Sequence, residues 1–315
     1  MKAGQLACFQ SVSKIDTLAG QGDNCMRQLN DLQLMSVVEI EVPFLGPFDF
    51  FPDATQDVFD AHAHWLKPRY QDPDTGRLMF CFQSYIVRTP HHTILVDSCI
   101  GNDKDRPNRP DWHRRNGTFL ADLARLGIRP EDIDMVFCTH LHADHIGWNT
   151  QLVDGRWVPT FPNAKYLLGR TEYDFWEQRY RADASGPRQI AFADSILPVV
   201  DAGQAVFVDG DHAVEDGVVL EAAPGHTPGN MVVNLRSGDA SAVLLGDTIH
   251  HPIQLKRPDW SCMACEDKAL SATTRRGLIE RYADTSTLMA PVHFPAPSVC
   301  RFVRDGDAFG FEMDT

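Results

Sequence analysis

The sequence predicts a layered α/β fold. Short apolar, β-branched runs alternate with runs of helical period along the chain, and no Gly/Ser-rich or Pro-rich linker divides it. Hydrophobic residues make up 43% of the composition against 23% charged, ample material for a buried core in 315 residues. Interleaved strands and helices bury their apolar faces most readily as sheets covered by helices.

In chain order, residues 1–33 mix Gly, Gln, Asn and Ser without periodicity and are expected to form an N-terminal arm, with a single domain over 34–315. Residues 35–42 are strand-like and run into an aromatic loop, 43–52, punctuated by prolines and holding Phe44, Phe48, Phe50 and Phe51. So apolar a loop is expected to pack onto the body of the protein. His62 and His64 alternate as on a half-exposed strand. Residues 79–88 and 93–97 read as hairpin strands, with Pro90 in the turn where it removes no ladder bond. Phe119, Leu123 and Leu126 recur at helical spacing before Gly127, which closes that helix. Further strands are expected at 133–138, 166–169, 218–220, 231–235, 242–245 and 287–290, with a hairpin at Asp154 and Gly155. Helices are expected over 171–180, 188–197 and 267–282.

Charge excludes some partners. With 29 basic and 43 acidic residues the net charge is -14, a field that repels nucleic acid and anionic membrane surfaces. The basic residues within 106–115 read as a solvated loop. No apolar run reaches the roughly 18 residues a membrane helix needs, and the first 28 residues lack the pattern of a secretory signal. The expected location is therefore cytoplasmic. Eight cysteines are scattered rather than spaced as a disulfide framework and read as buried small hydrophobes. Cys262 and Cys265 form a C-x-x-C, read the same way because no second pair stands nearby to complete a four-sulfur zinc site.

One segment carries chemistry. Residues 137–148 contain His140, His142, Asp144 and His145 as H-x-H-x-D-H, directly after an apolar strand. A strand entering a tight turn aims alternate side chains, His140 and His142, the same way, and the helical start that follows brings Asp144 and His145 to the neighbouring side. Neutral imidazoles and carboxylates suit zinc and other divalent first-row metals, and can hold two ions a few ångströms apart. One short loop cannot fill two metal shells. Distant residues complete them: His226 after the strand at 218–220, Asp247 after 242–245, and His293 after 287–290. All four groups follow the carboxyl ends of strands, the edge where α/β sheets place their sites.

In this order of ligands the sequence resembles the metallo-β-lactamase fold superfamily, over roughly residues 35–312. The resemblance implies a four-layer αβ/βα sandwich, two mixed β-sheets flanked by helices, forming one catalytic domain. It implies one metal on His140, His142 and His226, another on Asp144, His145 and His293, and Asp247 as the bridge. Asp97 matches the family's strand-end aspartate and is expected to support a ligand. Phrases at 161–164, 173–176, 225–229 and 292–295 look like the branch of methyl parathion hydrolase and the N-acyl-homoserine lactonases. One departure is His250, which stands where the lactonases carry a tyrosine.

The activity implied is hydrolysis of an ester, lactone or phosphotriester by a hydroxide shared between two divalent ions, zinc first, with manganese, cobalt or iron as substitutes. Asp144, Asp247 and His250 are the expected catalytic residues, and Trp148, Phe48, Phe50, Phe51 and His251 the expected substrate contacts. The partners expected are a small apolar ester or lactone and a second copy in a homodimer, with neither nucleic acid nor membrane. The rival activities in this fold are an iron-dependent thiol or persulfide dioxygenase and a glyoxalase II-like thioesterase.

Overall fold

The computed structural model describes residues 26–314. Two seven-stranded mixed sheets form its centre. The strands are β1 (Arg27–Leu29), β2 (Leu32–Pro43), β3 (Met79–Arg88), β4 (Thr93–Val96), β5 (Met135–Cys138), β6 (Thr150–Val153), β7 (Arg156–Pro159), β8 (Lys165–Gly169), β9 (Ala205–Val208), β10 (Ala213–Glu215), β11 (Val218–Ala222), β12 (Met231–Ser237), β13 (Ala240–Leu244), β14 (Leu288–Ala290), β15 (Cys300–Asp305) and β16 (Ala308–Met313). The first sheet runs β1-β2-β3-β4-β5-β8-β9 and the second β10-β11-β12-β13-β14-β15-β16, while β6 and β7 make a separate hairpin. The helices are α1 (Pro47–Phe50), α2 (Gln56–Leu66), α3 (Phe119–Arg125), α4 (Ala143–Ile146), α5 (Arg170–Ala182), α6 (Pro187–Ser195), α7 (Leu197–Asp201), α8 (Ile253–Lys256) and α9 (Lys268–Tyr282).

The two-residue period of the strands sorts side chains into layers. On β5, Phe137 faces the second sheet with Leu167, Val233 and Leu244, while Val136 and Cys138 face Phe119, Trp176 and Phe192 of the covering helices. On β13, Ala242 and Leu244 join the inter-sheet core, and Val243 turns outward to Leu278 and Ile279 of α9. Helix, sheet, sheet and helix therefore stack in four layers. The expected α/β sandwich with two mixed sheets is what the chain forms.

Two expectations change, and one hairpin carried no expectation. β1 and the start of β2 pair antiparallel within residues 27–34, so the stretch expected to be arm already belongs to the sheet from Arg27; the arm's residues 1–25 lie outside the described residues. His62 and His64 lie on α2, not on a strand, because Phe59 and Leu66 bury one helical face, and Trp65 Nε1 donates to His62 Nδ1 at 3.2 Å. The hairpin of β15 and β16 went unread in the sequence, because Gly310 and charged residues interrupt its alternation.

The basic loop after β4 is solvated only in part, with Arg114 exposed and Arg106 buried. Lys104 and Arg106 are buried, and both converge on Asp194 at the end of α6. Arg106 donates twice to that carboxylate, at 2.7 and 2.9 Å. Lys104 Nζ donates to Thr150 Oγ1 at 2.6 Å and to the Asp194 carbonyl at 3.1 Å, and lies 3.6 Å from the centre of the Trp157 ring. This clamp fixes residues 104–115 over the strand-end edge.

Burial pushes the Lys104 ammonium down to about 7 from its ordinary 10.5, although Asp194 opposes the shift. Between those values the unfolded chain holds a proton that the folded chain lacks, so stability rises with pH across that window. Lys104→Met is expected to flatten that rise. Urea unfolding of both proteins at pH 7 and pH 9.5 checks it, and equal slopes would contradict the assignment.

Candidate metal centre

The carboxyl ends of β5, β11, β13 and β14 open onto one edge of the sandwich, and each is followed by a loop carrying polar side chains. Beyond β5, His142 is extended (φ -73°, ψ 156°) and α4 begins at Ala143, so four residues of one loop turn toward the same point. Beyond β11, Gly225 has φ +128°, and a Cβ there would stand 2.3 Å from the backbone nitrogen of Ser271. Beyond β13, Gly246 has φ +47° and presses on Thr139, where a Cβ would lie 2.7 Å from Oγ1. Only glycine permits both close approaches, and through them His226 and Asp247 reach the histidine loop.

The seven residues expected as ligands meet there. Asp247 stands between two groups. Its Oδ2 lies 3.0 Å from His226 Nε2 and 3.5 Å from His140 Nε2, and His142 Nδ1 is 2.9 Å from His226 Nε2 and 3.0 Å from His140 Nε2. Its Oδ1 lies 2.9 Å from His293 Nε2 and 3.1 Å from His145 Nε2, each of which is 3.7 Å from Asp144 Oδ2. Six of the seven are buried, and Asp144 is partly open.

Neighbours fix which ring nitrogen faces the centre. His145 Nδ1 lies 2.9 Å from Asp97 Oδ2, and the same carboxylate accepts from Thr139 N at 2.7 Å. His293 Nδ1 donates to the Cys81 carbonyl at 2.9 Å. His140 Nδ1 sits 3.2 Å from Thr139 Oγ1, and His226 Nδ1 sits 3.4 Å from Cys265 Sγ. In each of these four the Nε2 lone pair is left for the interior.

This donor set fits divalent cations. Burial holds His140 and His142 well below the ordinary histidine range, so both are neutral and offer lone pairs. Burial opposes a proton on His145 too, but the carboxylates of Asp247, Asp97 and Asp144 outweigh it and lift that ring well above its usual range. Such an electronegative pocket accepts a cation as readily as a proton. Two atoms aimed at the centre, His145 Nε2 and Asp247 Oδ1, are buried without a hydrogen-bond partner among the described residues, a cost that metal coordination removes.

A residue the sequence reading passed over locks the loops together. Glu172, buried on α5, accepts from Leu141 N at 3.0 Å, Gly229 N at 2.9 Å and Trp176 Nε1 at 2.7 Å. It thereby ties the His140–His142 loop to the one that carries His226.

A cavity of about 580 Å³ opens over Asp144, Asp247, His142, His250 and His293. Its apolar wall is Phe44, Phe50, Phe80, Phe82 and Trp112, and Arg109, Arg188 and Met263 stand on its other sides. Of the expected substrate contacts, Phe50 lines it. The other four are placed elsewhere. Phe51 is fully buried against Trp260, and Phe48 is exposed and packs on Phe59. Trp148 stacks on Phe119 and donates to Glu39 at 2.9 Å, acting as an internal strut. His251 is buried with Nε2 2.8 Å from the Tyr70 carbonyl, and burial pushes it down to about 4. His250 does line the cavity, and its Nε2 lies 3.2 Å from Asp247 Oδ2. Wall residues such as Phe80, Phe82 and Trp112 carried no local signal, since in sequence they are indistinguishable from core.

Residues 83–287, well over half of the chain, match the sequence profile of the metallo-beta-lactamase superfamily. The chain belongs to that superfamily. Among curated members it is 28% identical over 176 residues to an N-acyl homoserine lactonase of Bacillus thuringiensis, covering 51% of this chain and 60% of that protein. It is 30% identical over 155 residues to an N-acyl homoserine lactonase of Bacillus cereus, covering 49% and 52%. The chain thus spans between half and three-fifths of the length of these relatives. Two solved structures superpose on nearly all of it: AbOPH, a hydrolase in the beta lactamase superfamily, with TM-score 0.78 and 23% identity over 94% of this chain and 99% of that one, and AidC, a dizinc quorum-quenching lactonase, with TM-score 0.75 and 22% identity over 93% and 97%.

Asp97 presents the sharpest test of the supporting shell. Asp97→Ala is expected to weaken metal binding by about 10- to 100-fold, since it frees both the His145 ring and Thr139. Competition against a chromophoric chelator measures this; unchanged affinity would show that His145 needs no such support.

Proposed function

We propose that this chain is a dinuclear metal-dependent hydrolase of small apolar esters or lactones, with zinc as the preferred ion. The observation that carries the reading is the position of Asp247, whose two carboxylate oxygens face two separate three-residue groups. In this reading His140, His142 and His226 would hold one ion, Asp144, His145 and His293 the other, and Asp247 both. Two such ions supply Lewis-acid polarisation of a carbonyl and a water-derived nucleophile at neutral pH.

The chain's own residues do the remaining work. Asp144 is the carboxylate of the cluster that is partly open to the cavity, so its Oδ2 is placed to orient an incoming water and accept its proton. His250 Nε2 reaches Asp247 and acts through that carboxylate, holding its orientation. The wall of Phe44, Phe50, Phe80, Phe82 and Trp112 excludes water and takes the apolar part of the substrate. The lactonase relatives support a lactone or ester over a phosphotriester.

After reconstitution with zinc, manganese or cobalt, the protein is expected to bind two ions per chain and to turn over aryl esters or lactones. Asp247→Ala is expected to lower kcat/KM by about a hundredfold or more, because it removes a group shared by both halves of the centre. Kinetics on a panel of lactones, aryl esters and phosphotriesters, with metal content measured alongside, tests both statements. No turnover on any member by fully loaded protein would overturn the hydrolase reading, and turnover indifferent to Asp247→Ala would remove the bridge.

A further inference from the structure

The C-x-x-C of the sequence lies directly behind the ligand cluster. Cys262 and Cys265 sit on one turn, closed by a bond from Cys265 N to the Cys262 carbonyl at 3.2 Å, and their sulfurs are 3.4 Å apart. Cys265 Sγ is 3.4 Å from His226 Nδ1. Cys262 Sγ is 3.5 Å from His250 Nε2 and 3.8 Å from His226 Nδ1. The thiol pair therefore supports the ring of one ligand and the histidine that holds Asp247. A carbonyl or carboxylate is the usual partner of a ligand imidazole, and unlike those a thiol pair can be oxidised.

We propose that Cys262 and Cys265 are a modification site: a dithiol that small disulfide compounds convert to an intrachain disulfide, weakening the grip of His226 on its ion. The inference rests on His226 being a metal ligand. The geometry requires little movement, since sulfurs already in contact need approach by only about 1.3 Å to reach bonding distance, and the i, i+3 turn leaves Cα separations within the range a disulfide spans.

Access is graded. Cys262 is fully buried, whereas Cys265 is 8% exposed. Met263 and Ala264, between them in sequence, form part of the cavity wall. Cys265 is the less enclosed of the two, next in sequence to Ala264 of the cavity wall, and takes the attacking role in the proposal. Ser271 Oγ lies 3.4 Å from it and 3.4 Å from Nη1 of Arg275, a buried guanidinium whose other partners are the oxygens of Pro258, Thr248 and Ser261. That cation adds positive potential around the sulfur that attacks.

The steps balance as ordinary thiol–disulfide exchange. Cys265 sulfur attacks R–S–S–R, forms a mixed disulfide and releases one R–SH. Cys262 sulfur then attacks the Cys265 side of that bond, closes the Cys262–Cys265 disulfide and releases the second R–SH. Two thiols are oxidised and one disulfide is reduced, with both protons leaving on the released thiols. In the product neither sulfur carries a hydrogen, and a disulfide sulfur is a poor acceptor, so His226 Nδ1 and His250 Nε2 lose their sulfur partners.

The experiment uses the zinc-loaded full-length protein with 2-hydroxyethyl disulfide, which spares the exposed Met263. Trypsin releases residues 257–268 as a peptide with these two cysteines and no other. In the oxidised protein that peptide is expected to be lighter by two hydrogens. Zinc affinity, read by chelator competition, is expected to fall by about 10- to 100-fold and to recover with a phosphine reductant. Cys262→Ser is expected to stop at the mixed disulfide, leaving the peptide heavier by one R–S group. An unaltered peptide from the natural sequence, or a closed disulfide with unchanged zinc affinity, would overturn the proposal. These readouts need no turnover, so a protein that shows the zinc response but hydrolyses nothing sinks the hydrolase reading alone.

Discussion

The whole edge of this protein is organised by the convergence on one buried carboxylate. Asp247 is 3% exposed, and five imidazoles bring an Nε2 to within 3.5 Å of its oxygens. A cluster of this polarity is costly to desolvate, and it persists only where the surrounding structure over-determines the position of each group. The strand-end loops supply that constraint through Asp97, Thr139, Glu172 and two glycines that no other residue could replace without displacing the neighbouring loop.

The second constraint lies above the cluster. Asp194 collects Lys104 and Arg106, and so converts a basic, water-seeking sequence into a fixed rim that carries Arg109 and Trp112 into the cavity. Trp112 stacks on Phe44 at 5.6 Å with an interplanar angle of 9°, which joins this rim to the aromatic loop after β2. The apolar wall is thus assembled from three separate stretches of chain: the loop bearing Phe44 and Phe50, the strand bearing Phe80 and Phe82, and the rim bearing Trp112. Its polarity contrasts with the floor of imidazoles and carboxylates, a division suited to holding an apolar molecule by one face and acting on it from the other.

Legibility followed locality. The H-x-H-x-D-H loop is legible because its donors are neighbours, and His226, Asp247 and His293 because each closely follows an apolar strand. Trp148 and His251 also stand near those segments, yet they point inward to Phe119 and Tyr70, as Phe51 of the aromatic loop does to Trp260. Proximity in sequence selects the right loop, but side-chain direction depends on what packs beneath it. His62 and His64 differ from expectation for a related reason: two histidines two apart carry a strand-like alternation, while Phe59 and Leu66, seven apart, fix the helical period of Gln56–Leu66.

By itself, the sequence determined which residues are available to bind metal and the order in which sheets and helices follow one another, because ligand chemistry and hydrophobic period are local properties. Tertiary structure alone decided which aromatic rings line the cavity, that Glu172 and Asp194 lock its loops, and that the Cys262 and Cys265 sulfurs back onto His226 and His250. Those outcomes depend on contacts between residues tens to hundreds of positions apart. They are fixed by how the layers pack, and no short window of sequence contains that information.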